Sequence, residues 1–118
     1  MPSTPSIPEL TAQIRAFRDA RDWQQFHSPK DLAVAIVAEA GELLQPFVWK
    51  SPEQSWSIAQ LQRPAIADEI ADVAILVFEL ADQLGLDLAH EMAAKIARNE
   101  LRYPADKARG SNLKYTEL

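Results

Sequence analysis

Leu10, Ile14 and Phe17 recur at three- and four-residue spacing with Ala20 or Arg21 completing the row, and charged or polar residues fill the gaps. This is the period of an amphipathic helix. Ser6 and Glu9 have the spacing of a capping box, which starts that helix at about residue 7; the row predicts its end near Trp23 or Gln24. The pattern then changes. From Leu32 to Leu44 almost every residue is apolar, all round the helix rather than on one stripe, as in a helix that must be buried. Ser28 caps it, Pro29 takes its first position and Pro46 closes it, giving a span of about 29–45. Between Pro46 and Arg63 the chain mixes prolines with Trp49 and Trp56, which predicts a connection with at most a short helix around 56–61. A third long helix is expected over about 64–84, stopped by Gly85, and a fourth over about 88–103, capped by Asp87 and ended by Pro104. No segment alternates as a strand would. The fold class is therefore all-α, with four main helices packing as a bundle in one domain, 1–118; residues 1–5 and about 105–118 are expected as flexible or partner-docked tails.

Only four positions break the apolar parts of the second and third helices in a way that matters chemically. Glu39 and Glu42 lie three apart on one helix, and Glu69 and Asp72 three apart on the other, so each pair shares a face. Packed together, the two pairs would bring four carboxylates to a place short of water, where two unit charges about 5 Å apart repel by about 3 kcal/mol. A hard divalent cation compensates such a cluster through oxygen ligands. Asp68 is expected to point to solvent. Neither acidic helix carries a histidine, and His27 and His90 fall in a turn and a first helical turn, where capping or surface roles are usual. The di-iron carboxylate pattern, which uses Glu-x-x-His, is thus disfavoured, and Mg²⁺ is preferred, with Mn²⁺ as the other candidate.

Composition narrows the partners. The 118 residues carry a net charge of −5 with scattered basic groups, so the electrostatic footprint of a DNA or RNA binder is missing. There is no cysteine, which removes disulfides, thiolate metal sites and thiol nucleophiles. No apolar run is long enough to span a membrane and the N-terminus lacks signal-peptide character, so a cytoplasmic location is expected. Lys95, Asn99 and Arg102 share one face of the fourth helix, with Tyr103 beyond them. That stripe reads either as a solvated basic face near a helix C-terminus or as a phosphate clamp beside a metal. Trp23, Trp49 and Trp56 lie around the acidic segment, where an aromatic ring can stack a nucleobase or simply pack.

Read in order, Glu39-x-x-Glu42 and Glu69-x-x-Asp72, with RDWQQFHSPKDL, EAGELLQPFVWK, DEIADV, NELRYP and the closing KYTEL, resemble the all-α nucleoside triphosphate pyrophosphohydrolases of the MazG-like superfamily and, within it, the dCTP pyrophosphatase group. The resemblance runs from about Ile14 to Leu118. It implies Mg²⁺-dependent cleavage of a nucleoside triphosphate, most simply a dCTP-like one, between the α and β phosphates, as house-cleaning of nucleotide pools. Glu39, Glu42, Glu69 and Asp72 would bind the metal and carry catalysis. Lys95, Asn99, Arg102 and Tyr103 would hold phosphates and sugar, and Trp23 and Trp49 would pack around the base. It also implies a homodimer or homotetramer. Where that group often has a histidine and a tyrosine near the base, this chain has Ile14 and Leu76, which predicts looser base selection. The alternatives from other classes are a catalytically weak nucleotide-binding relative and a helical protein-interaction module.

Overall fold

The structure, a computed structural model, describes residues 3–118; of the expected loose N-terminal stretch, Met1 and Pro2 lie outside the described residues. Among those described there is no strand. The chain forms α1 (Ile7–Ala20), α2 (Pro29–Leu44), α3 (Pro52–Leu61), α4 (Arg63–Gln83), α5 (Leu88–Arg102) and the short α6 (Ala105–Ala108), with 3₁₀ turns at Gln24–Phe26, Gln45–Phe47 and Tyr115–Glu117. It divides into two compact units, the first ending at Gly85 and the second spanning Leu86–Leu118.

In the first unit α2 and α4 make the main helix–helix interface, and α1 packs on α4 as well. The stripe Leu32, Ile36, Glu39 and Leu43 on α2, and the stripe Glu69, Asp72, Leu76, Glu79 and Gln83 on α4, each follow the alternating three- and four-residue spacing of one helix face and are the less exposed sides of their helices. Among the described residues, Leu32 and Ala81 are the buried apolar residues. Arg15 on α1 forks onto Asp82 on α4, with Nε and Nη2 donating at 2.9 and 2.6 Å, and the guanidinium holds the Asp82 carboxyl below its ordinary range. Four helices start where their side chains dictate: Ser6, Ser28, Ser51 and Asp87 each accept the hydrogen bond of a backbone N–H in the first turn.

Three expectations need correction. α1 ends at Ala20, not near residue 24, because Asp22 takes the left-handed conformation (φ 54°) and the Trp23 N–H turns back to the Arg18 carbonyl at 3.1 Å. The supposed connection holds a ten-residue helix, α3, whose start is a second capping box, Ser51 with Gln54. Finally, α2 is not buried all round within one chain: Leu32 is 1% exposed, whereas Val37 on the opposite side is 73% exposed. In the second unit, the segment expected as a loose or partner-docked tail carries α6 and a terminal 3₁₀ turn that sets the Tyr115 ring against Tyr103 (5.9 Å, edge-on) and under the Arg102 guanidinium (5.1 Å). No single helix among the described residues is long and apolar enough to cross a membrane.

Candidate active site

Packing α2 on α4 brings three of the four predicted carboxylates together. Glu39, Glu69 and Asp72 each offer an oxygen, and these lie within 4.8 Å of one another. Two ligands of one Mg²⁺ sit at most about 4.2 Å apart, given Mg–O distances of about 2.1 Å, so small side-chain rotations close the set on an ion. Glu39 Oε2 and Glu69 Oε2 are buried and accept no hydrogen bond. Buried oxygens without a donor are costly. Among the described residues no lysine, arginine or histidine pairs with any of these acids; every ion pair lies elsewhere. An all-oxygen cluster with orphaned acceptors and no cationic partner is a donor set that fits a hard divalent cation.

Electrostatics agree with the geometry. Burial pushes the Glu69 carboxyl up to about 7, reinforced by the neighbouring carboxyl groups of Glu39 and Glu42. Glu42 itself is exposed and stands outside the converging trio. With Glu69 it borders a hollow of about 340 Å³, walled also by Gln45, Pro46, Gln62 and Ile66. The fourth acid therefore lines this hollow beside Glu69. Asp68 is exposed, as expected.

Beside the acids, on the neighbouring face of α4, Ala71, Ile75 and Phe78 meet Leu10, Ile14 and Phe17 of α1 around an apolar cleft of about 540 Å³. Ile14 lines this cleft; Leu76, on the acidic stripe, does not. Trp23 lies in the turn after α1, its ring edge-on to Phe17 at 5.7 Å and 41% exposed. Trp49 is 96% exposed and has a left-handed backbone (φ 62°) after α2. Trp56 stands exposed on α3. Lys95, Asn99 and Arg102 are exposed along α5 of the second unit, and Tyr103 caps that helix.

Sequence reasoning missed one cluster. His27, expected in a capping or surface role, is half-buried and brings Nδ1 to 2.6 Å from Glu79 Oε1; Arg18 Nη1 approaches the same oxygen at 3.9 Å. His90 does lie exposed in the first turn of α5.

The model of the MazG-like family matches residues 34–118. The chain is 39% identical to human dCTP pyrophosphatase 1 over 97% of its own length and 68% of the human protein, and 38% identical to the Bos taurus enzyme of the same name over 98% and 70%. The crystal structure of a pyrophosphatase from Archaeoglobus fulgidus superposes with a TM-score of 0.81 and 33% identity, covering 88% of this chain and 97% of that one. The chain belongs to the MazG-like family. It is an enzyme of the nucleoside triphosphate pyrophosphohydrolase class.

Proposed function

We propose that the protein hydrolyses a dCTP-like deoxynucleoside triphosphate between its α and β phosphates, releasing the monophosphate and pyrophosphate, with Mg²⁺ held by Glu39, Glu69 and Asp72 and steadied by Glu42. The observation that carries this is the convergence of three carboxylates that lack any cationic partner and include two orphaned buried oxygens. Bound there, the ion would neutralise phosphate charge and bridge the triphosphate to the protein. In this reading Glu42, exposed beside the hollow, orients the attacking water and accepts its proton. Phosphoryl chemistry asks mainly for positioning and charge neutralisation, so no further nucleophile is required.

Trp23 and Trp49 are the base-packing residues of this reading, since each presents an open indole face. Lys95, Asn99, Arg102 and Tyr103 are proposed as phosphate and sugar contacts on the strength of the α5 face that Lys95, Asn99 and Arg102 share, with Tyr103 just beyond it. The apolar residues α2 leaves uncovered, Val34, Val37 and Leu44, support a homodimer or homotetramer in which a second copy buries them. A cytoplasmic location, where nucleoside triphosphates are plentiful, completes the reading.

The test is product release from a panel of deoxy- and ribonucleoside triphosphates with and without Mg²⁺. Monophosphate and pyrophosphate in equal amounts are expected, fastest with dCTP or its base-modified analogues, and lost in Glu39→Gln and Asp72→Asn. Metal-independent turnover, or release of single phosphates, would contradict the proposal.

A further inference from the structure

Arg18, His27 and Glu79 form a buried polar cluster that hydrolysis, as described, does not use. Glu79 is 4% exposed and Arg18 6%. A buried carboxylate has to be paired, and Glu79 is paired to a residue of the α1–α2 turn, not to α2 itself. Its Oε1 meets His27 Nδ1 at 2.6 Å, while one helical turn further along α4 the Gln83 amide donates to the His27 carbonyl at 3.0 Å. Arg18 closes the cluster from α1, held in turn by Asp19 at 2.9 Å. His27 is thus gripped by ring and by backbone, which leaves the imidazole one orientation.

That ring faces Trp23, with centroids 6.2 Å apart and planes tilted by 56°. Phe17, which lines the apolar cleft, contacts the same indole edge-on. The backbone is bent to deliver it: Asp22, just before, is left-handed at φ 54° although it is not glycine. The Trp23 indole touches both Phe17 and His27 and is still 41% exposed, so it keeps surface on which a planar ligand can stack.

We infer that His27, held by Glu79 and Gln83, is a positioning residue for Trp23 that sets the affinity for the nucleobase without touching the reacting phosphates. This rests on the reading of Trp23 as a base-packing residue. His27→Gln keeps an amide donor for Glu79 but removes the ring that faces Trp23. It is expected to raise KM for the preferred deoxynucleoside triphosphate about fivefold or more, the scale of a weakened base stack. Its kcat, Mg²⁺ dependence and inhibition by inorganic triphosphate, which has no base, should match the parent enzyme. Combined with Trp23→Ala, it should add nothing to the effect of Trp23→Ala alone. Should His27→Gln fail to fold, Glu79→Gln is measured in the same way, with the same expectation. A purely structural role would instead leave KM unmoved, or shift kcat and triphosphate inhibition together with the melting temperature, and either result overturns the inference. If Trp23→Ala raises KM and His27→Gln does not, only the positioning claim falls. If Trp23→Ala itself leaves KM unchanged, the base-packing reading of Trp23 fails and this inference with it.

Discussion

Glu69 is where the site's chemistry and the protein's stability meet. Its carboxyl titrates near 7 in the fold against 4.5 as the ordinary value, so between those limits the folded state holds a proton that the unfolded chain has released. Metal-free protein should therefore lose stability as pH rises through this window. With chelator present, the urea midpoint should fall from about pH 5 to about pH 8 relative to that of Glu69→Gln, which has no such proton to lose. A difference that stays flat or climbs would contradict the burial argument. Divalent ions should bind more tightly over the same rise, because the ion must displace that proton. The residue scale also shows what a sequence can and cannot reveal. Glu39, Glu69 and Asp72 were legible because an acid at helical spacing among alanines, leucines and isoleucines is anomalous by itself. The Glu79–His27 pair was not, because its partners lie 52 residues apart and each looks ordinary locally. Truncating Glu79 to alanine removes the buried carboxylate that His27 and Arg18 share, leaving Arg18 with Asp19 alone, and should cost about 3 kcal/mol in chemical denaturation.

At the level of elements, capping chemistry explains both the successes and the error. Ser6, Ser28 and Asp87 start helices where expected, and the same logic at Ser51 and Gln54 starts α3, a signal hidden among the prolines and tryptophans of that stretch. Only Gln62 separates α3 from α4, so the orientation of α3 bears directly on the helix that carries Glu69 and Asp72. Ser51→Ala should destabilise the protein by about 1 kcal/mol, the usual worth of an N-cap, as seen in thermal melts. A loss near zero would mean that α3 is held by packing alone. The early end of α1 had no comparable signal, since an aspartate in the left-handed region is permitted but not demanded by its type.

For the whole molecule, the apolar pattern of α2 predicts burial all round, and a single chain satisfies only the side that meets α4. Val37 is the most exposed valine on that helix, so Val37→Glu should shift the protein toward monomer in sedimentation or light scattering while a monomer-sized parent would rule out assembly through this face. The account as a whole stands on the acids of α2 and α4 sharing one cation. Calorimetric titration of Mn²⁺ into the parent protein and into Glu39→Gln, Glu69→Gln, Asp72→Asn and a surface control, Glu100→Gln, tests this most directly. Saturable binding in the parent and the control, lost in each of the three site variants, is the expected result; equal binding in all five proteins would contradict it.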